Sequence, residues 1–311
     1  MPSRITPPPI EPGAGVALIA PASSPTAEQV EFAVHNLTDA GYRPKVYRSL
    51  SEPVGYLSGT DDVRAEEIMR AFTDDDVAAV FAARGGYGVA RLLHRLDFGV
   101  IRSNPKPLIG YSDLTALHAA VDRHAGLASF HSPNAIDGLC GGGKLDAPSV
   151  DAFWSAVSGR GSYDLPVEET GATLRTLRGG ACEGELVGGN LAVLVGLLGT
   201  RFEPAFAGRV LLLEDLAEAP YRVDRMLAQL RLAGRLDEVA GVILGQFTDC
   251  EADENDASPT CVQVLEHYFS DVDAPILAGF PTGHTVPNLT LPHGGRVRLD
   301  ADAGRVSVLR G

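Results

Sequence analysis

Residues 77–88 read Val77-Ala-Ala-Val-Phe-Ala-Ala-Arg-Gly-Gly-Tyr-Gly88, and residues 107–113 read Pro107-Leu-Ile-Gly-Tyr-Ser-Asp113. Each stretch begins as a short, continuous apolar run and ends in glycine and polar residues. Such runs are typical of strands covered on both faces of a parallel sheet. Helical patterns follow both stretches, and a similar strand and helix open the chain. Strands that alternate with helices predict a parallel sheet with right-handed crossovers.

The second half of the chain mixes short strands with helices. The patterns predict strands at 15–20, 77–82, 107–111, 127–130, 210–213, 242–245 and 276–280, and helices at 28–40, 61–72, 89–96, 114–124, 149–157, 191–198 and 221–232. Residues 296–309 alternate on both sides of Asp302-Ala303-Gly304, which predicts a β-hairpin. A chain of 311 residues exceeds what one core usually fills. We therefore predict two domains, residues 1–165 and 166–311.

Composition excludes several classes of function. The formal net charge of -14 repels phosphate backbones, so nucleic-acid binding is not expected. No apolar run approaches the ~20 residues of a membrane span. Residues 16–20 form too short an apolar run for a secretion signal, and a cytoplasmic location is predicted. The four cysteines (Cys140, Cys182, Cys250 and Cys261) lack metal-ligand spacing, so free thiols and no metal or other cofactor are expected.

Ser112 is the first candidate for chemistry. It follows an apolar strand and precedes a helix, and ligands bind beyond the carboxyl ends of strands in such sheets. The backbone amide of Asp113 lies among the unpaired N–H groups of the helix N-terminus, where an oxyanion could be stabilised. This context resembles the nucleophile elbow of hydrolases, although the G-x-S-x-G pattern is absent. Taken locally, Ser-Asp before a helix favours an ordinary N-cap over a catalytic serine.

Gly85 and Gly86 follow the other buried strand. Glycines at such a position let backbone amides approach a ligand closely, so a second oxyanion donor could come from this loop. A simple tight turn is the alternative. The loop lacks the Lys-Ser/Thr of a P-loop and the G-x-G-x-x-G spacing of a dinucleotide site, which argues against nucleotide binding.

A serine nucleophile needs a base, and the base needs a carboxylate to orient it. Of the eight histidines, His131, His284 and His293 are predicted in Gly/Pro-rich loops, and His284 follows a short apolar strand. Glu214 directly follows the apolar run 210–213, where an acid is costly unless it is paired. Pairing with a histidine and a structural ion pair with Arg222 or Arg225 both remain open.

Six ordered motifs resemble those of the LD-carboxypeptidases, also called muramoyltetrapeptide carboxypeptidases, peptidase family S66. The motifs are Ile19-Ala-Pro-Ala-Ser23, Ala83-Arg-Gly-Gly-Tyr-Gly88, Ile109-Gly-Tyr-Ser-Asp113, Gly184-Glu-Leu-Val-Gly-Gly-Asn-Leu191, Leu213-Glu-Asp215 with Tyr221-Arg-Val-Asp-Arg225, and Gly283-His284. They span nearly the whole chain at compatible spacing. One departure is Ser132, which stands in His131-Ser-Pro133 where relatives often carry glycine.

The resemblance implies a Ser112–His284–Glu214 triad, with the amides of Gly86 and Asp113 as the oxyanion hole. It implies an α/β fold: an N-terminal flavodoxin-like domain, a C-terminal α/β domain with a β-rich part, and the site at their interface. A homodimer without a metal is expected. Candidate substrate-binding residues are Arg84, Gly85 and Asn190, with Arg84 able to pair with a carboxylate.

The activity implied is a cytoplasmic serine carboxypeptidase that releases the terminal D-alanine from a murein tetrapeptide during peptidoglycan recycling. An alternative within the family is a peptidase similar to the microcin-immunity peptidase, which hydrolyses peptidyl or aminoacyl nucleotide conjugates. Those relatives tend to carry an aromatic residue that stacks on the nucleobase, whereas the single tryptophan here, Trp154, lies in a helical pattern. A non-catalytic binding module that uses the same cleft is a third possibility.

Overall fold

The computed structural model describes residues 3–138, 143–159, 161–252 and 258–310. Its strands are β1 (Gly15–Ile19), β2 (Arg43–Val46), β3 (Ala79–Ala82), β4 (Leu108–Gly110), β5 (Ser129–His131), β6 (Tyr163–Asp164), β7 (Arg175–Arg178), β8 (Ala181–Asn190), β9 (Val210–Leu216), β10 (Gly241–Thr248), β11 (Ile276–Ala278), β12 (Leu291–His293), β13 (Arg296–Asp300) and β14 (Arg305–Leu309). Its α-helices are α1 (Ala27–Asp39), α2 (Asp61–Thr73), α3 (Phe98–Ser103), α4 (Thr115–Ala125), α5 (Ala147–Val157), α6 (Leu191–Val195), α7 (Pro220–Leu232) and α8 (Cys261–Phe269).

The first five strands form a parallel sheet in the order β2-β1-β3-β4-β5. This is the strand order of the flavodoxin-like fold. Helices cover both faces of the sheet, which explains why its strands read as continuous apolar runs. The predicted flavodoxin-like, parallel-sheet fold is confirmed for this half of the chain.

The same sheet continues into the second half of the chain. β12 pairs antiparallel with β5 and contacts β8, after which β8, β9, β10 and β11 are parallel to one another and β7 closes the edge. A β-rich part is formed by β6, β13 and β14 against the first half of β8. The predicted hairpin at 296–309 is therefore confirmed. The domain boundary at residues 165 and 166 falls between β6 and β7 and stays a prediction.

Helix α2 shows how side chains place the elements next to the site. Thr60 caps it by accepting a hydrogen bond from the Val63 amide. Ile68 and Phe72 lie on its inner face and are fully buried, and each contributes about 1.5–3 kcal/mol of hydrophobic stabilisation. The same face also carries Arg64, which is buried as well. The sheet-facing side of α2 is therefore not entirely apolar.

The structure corrects four local predictions. The helix expected at 89–96 is instead two 3-10 turns, because Asp97 accepts hydrogen bonds from the amides of Gly99 and Val100 and so begins a separate helix, α3. The helix expected at 191–198 ends at Val195, where a glycine follows. His131 and His293 lie in β5 and β12 rather than in loops. The strand expected at 127–130 overlaps β5 but stops one residue short of His131, and β12 was not expected because its three residues include a proline.

Two predictions from composition can be compared with the structure. Cys182, Cys250 and Cys261 are free thiols, as predicted, while Cys140 lies outside the described residues. None of the helices in the described ranges has the length and apolar character that a membrane crossing requires.

Candidate active site

Ser112 stands in a sharp turn between β4 and α4. Its φ is +66°, in the left-handed region that residues with a Cβ seldom adopt, at a cost of about 1–3 kcal/mol. Strain of this kind is typical of a nucleophile elbow, in which the serine hydroxyl is held out from the end of a strand. Gly85 packs directly against it, because a Cβ on Gly85 would lie 2.9 Å from the Ser112 Cβ and 3.1 Å from its Oγ.

His284 connects Ser112 to Glu214. The Ser112 hydroxyl lies 3.0 Å from His284 Nε2, and His284 Nδ1 lies 2.7 Å from Glu214 Oε2. A carboxylate can only accept here, so Nδ1 carries the proton and Nε2 is free to accept the serine proton. Gly283 makes this approach possible, since a Cβ there would lie 2.7 Å from Glu214 Oε2. The three side chains therefore form one hydrogen-bonded row.

The alternative partner for Glu214 is not observed. Glu214 is fully buried at the end of β9 and pairs with His284. Arg222, one of the two arginines considered for a structural ion pair, pairs with Glu218 at 3.5 Å instead. The carboxylate that follows, Asp215, accepts hydrogen bonds from the Asn190 amide group at 2.9 Å and from the backbone amides of Ala192 and Leu216.

The surroundings of His284 favour its protonated form. Burial lowers the pKa of the imidazole, but the hydrogen bond to Glu214, the charge of Glu214 and the further charges of Asp215 and Asp137 together raise it above its ordinary value. The Tyr111 ring lies on the imidazole, with ring centroids 4.8 Å apart. The imidazole of His284 is therefore held by contacts on two sides, from Glu214 and from Tyr111.

The backbone amides of Gly86 and Asp113, which are expected to bind an oxyanion, border one cavity together with Ser112 and His284. Gly86 has φ +121° and is packed so closely on Ser23 that a Cβ would lie 2.3 Å from the Ser23 Oγ. The Asp113 side chain accepts a hydrogen bond from the Val89 amide at 2.8 Å. Burial raises the pKa of the Asp113 carboxyl to about 6, although the Val89 and Gly88 amides oppose this effect.

A cavity of about 490 Å³ brings these groups together. Every residue that the sequence predicted for catalysis, the oxyanion or the substrate lines it except Glu214, which lies behind His284. Arg84 is half-buried in the wall and donates to the Ser24 carbonyl at 3.3 Å. The Asn190 side chain uses both ends, donating to Asp215 and accepting from the Val193 amide at 3.1 Å.

Sequence reasoning missed several lining residues. They are Tyr87, Tyr111, Asn134, Ile136, Asp137, Ala192, Val193, Leu216 and Glu218. Tyr111 directly follows β4 and Leu216 is the last residue of β9, while Ala192, Val193 and Glu218 lie within three residues of the end of β8 or β9, so closeness to a strand end was the signal that could have found these five. Two of them, Asp137 and Glu218, are carboxylates, and Tyr87 and Tyr111 carry hydroxyl groups, so the polar part of the wall is mainly acidic apart from Arg84.

Three buried histidines, His118, His131 and His293, form a cluster behind the Tyr111 ring, and we call it the histidine cluster. His118 Nε2 donates to the Gly110 carbonyl at 2.8 Å, and its Nδ1 accepts from the hydroxyl of a β5 serine. Burial lowers the pKa of His118 to about 4 and lowers the pKa values of the other two well below the ordinary range. The cluster is therefore uncharged at neutral pH.

No group of three or more ligating side chains in the described ranges could hold a metal ion.

The chain is similar to known proteins over most of its length. The family model for the LD-carboxypeptidase N-terminal domain matches residues 16–132, and the model for the C-terminal domain matches residues 183–299. The chain is 34% identical over 302 residues to the murein tetrapeptide carboxypeptidase of Pseudomonas aeruginosa, covering 92% of this chain and 93% of the relative. It is 30% identical over 278 residues to the microcin C7 self-immunity protein MccF of Escherichia coli, covering 81% and 80%.

Solved structures of the same family have a similar fold. The muramoyltetrapeptide carboxypeptidase from Oxalobacter formigenes has a TM-score of 0.83 at 32% identity, covering 95% of this chain and 98% of that one. MccF in complex with glutamyl sulfamoyl guanosine has a TM-score of 0.87 at 25% identity, covering 98% of both chains. Fold and relatives together define a serine-type peptidase, which is a hydrolase. Within that class, the chain belongs to the LD-carboxypeptidase family, peptidase family S66.

Proposed function

We propose that this protein is an LD-carboxypeptidase that removes the terminal D-alanine from a murein tetrapeptide, cutting the amide between an L- and a D-configured centre. The observation that carries the proposal is the hydrogen-bonded row Ser112–His284–Glu214 in a family whose relatives include a murein tetrapeptide carboxypeptidase. The row supplies a nucleophile, a base and an orienting carboxylate in the geometry that acyl transfer requires.

In the proposed reaction Ser112 Oγ attacks the carbonyl carbon of the scissile amide while His284 Nε2 takes the hydroxyl proton. Glu214 holds the proton on Nδ1 and stabilises the imidazolium that forms. The amides of Gly86 and Asp113 donate to the oxyanion, and losing one such donor typically costs ~100–1,000-fold in rate. His284 then protonates the leaving amine of D-alanine. A water molecule, deprotonated by His284, hydrolyses the acyl-enzyme and regenerates the serine.

Arg84 is proposed to receive the terminal carboxylate of the substrate. It is half-buried in the cavity wall, two residues before Gly86, and no carboxylate of the described residues lies within ion-pair distance of its guanidinium. Arginine binds carboxylates through two parallel donors, which suits recognition of a free C-terminus. Gly85 and Asn190 remain predicted substrate-binding residues. Because both ends of the Asn190 amide are engaged, we propose that it shapes the wall by holding Asp215.

The charge of the cavity separates the two candidate substrates. Asp137, Asp215 and Glu218 line it together with a single arginine, Arg84. A nucleotide conjugate brings a phosphate or a similar acidic group, which these carboxylates repel. A murein tetrapeptide containing a diamino acid brings an ammonium group that these carboxylates attract, and its terminal carboxylate can pair with Arg84.

One observation favours the second candidate, hydrolysis of aminoacyl nucleotide conjugates. Tyr87 lines the cavity and is 55% exposed, and Tyr56 beside it is 63% exposed, with ring centroids 5.5 Å apart. Exposed aromatic faces can stack on a base. This pair stands in a different part of the chain from the Gly188-Gly189 region, where the sequence analysis sought such a residue.

Mass spectrometry of a murein tetrapeptide and of an aspartyl sulfamoyl or phosphoramidate nucleotide, each before and after incubation, tests the proposal. We expect loss of one alanine from the tetrapeptide, and Ser112→Ala should be folded and inactive. Turnover of the tetrapeptide by Ser112→Ala at the wild-type rate would remove Ser112 from the mechanism. A serine-reactive phosphonate should label one site per chain, and absence of any adduct would favour the binding-module alternative.

The homodimer implied by the resemblance and the cytoplasmic location predicted from the apolar pattern are also proposals. Sedimentation velocity of the full chain measures the first, and fractionation of cells that produce the protein measures the second.

A further inference from the structure

The loop after β3, residues 84–88, carries Gly86 and is called the oxyanion loop here. It has no regular secondary structure, so its position depends on contacts from neighbouring elements. On one side the Tyr87 amide donates to the Ser23 hydroxyl at 3.3 Å, and the Ser23 amide donates to the Gly85 carbonyl. On another side the Asp113 carboxylate accepts from the Val89 amide, just beyond the loop.

The third contact comes from Arg64 of α2, which the sequence analysis did not single out. Its side chain is completely buried. Nη1 donates to the carbonyls of Gly88, at 3.1 Å, and Pro21, and Nε donates to the carbonyl of Gly59 at 3.2 Å. Nη2 pairs with Asp61 Oδ1 at 2.6 Å. One guanidinium thus joins the loop after β1, the oxyanion loop and the segment that leads into α2.

The packing around this guanidinium is tight at Gly88. A Cβ on Gly88 would lie 2.8 Å from Arg64 Nη1, and the glycine φ of +124° is itself unfavourable for other residues. The end of the oxyanion loop therefore packs closely against the arginine and accepts a hydrogen bond from it at the Gly88 carbonyl. Displacement of the guanidinium must move Gly88, and Gly86 lies only two residues away.

Stability alone is a weak reason to keep a charge at this position. Burying a guanidinium carries a desolvation cost that an ion pair repays only in part, and hydrophobic residues of similar volume often serve stability equally well. A guanidinium does offer several donors in a fixed planar arrangement, which an apolar residue or a lysine cannot reproduce. The feature that requires arginine is the set of carbonyls it connects.

We propose that Arg64 is a positioning residue for the oxyanion hole: it holds the oxyanion loop so that the Gly86 amide points at the developing oxyanion. The inference rests on the proposed function, in which Gly86 is one of the two donors. Oxyanion donors act over 2.7–3.1 Å, and a displacement of about 1 Å can cost ~100-fold in rate. Because the donor acts mainly in the transition state, its displacement lowers kcat and leaves KM nearly unchanged.

Arg64→Met tests this, since methionine fills much of the volume but donates no hydrogen bonds. Asp61 keeps a partner in this variant, because Arg91 lies 3.0 Å from its other oxygen. We expect kcat on the tetrapeptide to fall about 100-fold with little change in KM. Arg64→Lys keeps the charge without the planar set of donors, and its kcat should lie between those of Arg64→Met and the wild type.

Arg209→Met is the matched control. Arg209 is 4% exposed and pairs with Asp122 at 2.6 Å and Glu185 at 2.8 Å, so its loss removes an equally buried guanidinium. None of these contacts touches the oxyanion loop. We expect this variant to be less stable towards denaturant but to retain wild-type kcat at a temperature at which it is folded.

All values are expressed per site labelled to completion by a serine-reactive phosphonate, so that unfolded protein does not enter kcat. The initial rate of labelling should fall together with kcat in the Arg64 variants. Wild-type kcat in Arg64→Met, or an equal loss in Arg209→Met, overturns the inference. If Arg64→Met does not fold, Arg64→Lys is measured in its place, and wild-type kcat in Arg64→Lys or an equal loss of kcat in Arg209→Met overturns the inference. If Ser112→Ala is active, the proposed function fails; if it is inactive while the Arg64 variants are fully active, only the role of Arg64 fails.

Discussion

Replacing Glu214 by glutamine changes a fully buried carboxylate into a neutral group of nearly the same shape. In the protein, Oε2 accepts the proton of His284 Nδ1 across 2.7 Å, and this leaves Nε2 free for Ser112 at 3.0 Å. If the glutamine presents its NH₂ group instead, the imidazole must carry its proton on Nε2 and cannot act as base. The wrong tautomer costs roughly 10⁴-fold in kcat in a comparable triad, or about 5 kcal/mol of transition-state stabilisation.

The same substitution should also move the pH profile. Burial lowers the pKa of His284, and it is chiefly Glu214 that raises it above the ordinary value. The base is the neutral imidazole, so the wild-type enzyme should lose activity as pH falls through a pKa above 6.5. Without the carboxylate, burial dominates, and the acid limb of the residual activity should lie at lower pH.

The assay is release of D-alanine from tetrapeptide, followed as kcat/KM between about pH 5 and pH 9. Glu218→Gln serves as the control for the profile, because it removes a carboxylate of the same cavity that does not contact His284. That variant should leave the acid limb where it is in the wild type. A Glu214→Gln enzyme with wild-type kcat, or with an unshifted acid limb, would refute the assigned role of Glu214.

Two further predictions concern the surroundings of the nucleophile. Gly85→Ala should lower kcat by about 100-fold, because the added methyl meets Ser112 Cβ at 2.9 Å and must displace it, whereas Gly161→Ala, with nothing within 4 Å, should have no effect on turnover. The histidine cluster should make the protein sensitive to acid. Its members are neutral when folded and gain protons near pH 6.5 when unfolded, so the free energy of unfolding should fall as pH drops below 6.5; His118 alone, with a pKa of about 4, accounts for about 3 kcal/mol. Denaturant unfolding at several pH values measures this, and a free energy that stays constant down to about pH 4 would contradict it.

Much of the first half could be predicted from the sequence. The apolar runs at 77–82 and 107–111 correspond to β3 and β4, and the helical patterns beside them correspond to α2 and α4. Such runs are informative because both faces of a parallel sheet are buried. The run at 127–130 likewise overlaps β5, although it ends one residue before His131, whereas β12 was not predicted because its three residues include a proline and precede a glycine.

Some residues of the candidate site could be predicted from the sequence, and others could not. The resemblance supplied Ser112, Glu214 and His284 together, and their catalytic roles stay predictions even though they lie within hydrogen-bonding distance of one another. The left-handed φ of Ser112 could not be read from Gly-Tyr-Ser-Asp, because the same letters suit an ordinary helix cap. Arg64 could not be recognised at all, since its partners are mostly backbone carbonyls, which every residue possesses.

By itself, the sequence determined the alternation of strands and helices, the family and the class of enzyme, because these depend on local patterns and on ordered motifs. Only the tertiary structure decided that Glu214 and His284, 70 residues apart, meet at 2.7 Å, and that Ser112 lies 172 residues from its base yet within 3.0 Å of it. The physical reason is the continuous sheet. Through β12 it joins the two halves of the chain, so that the residues following β3 and β4 and those at the ends of β8 and β9 line one cavity.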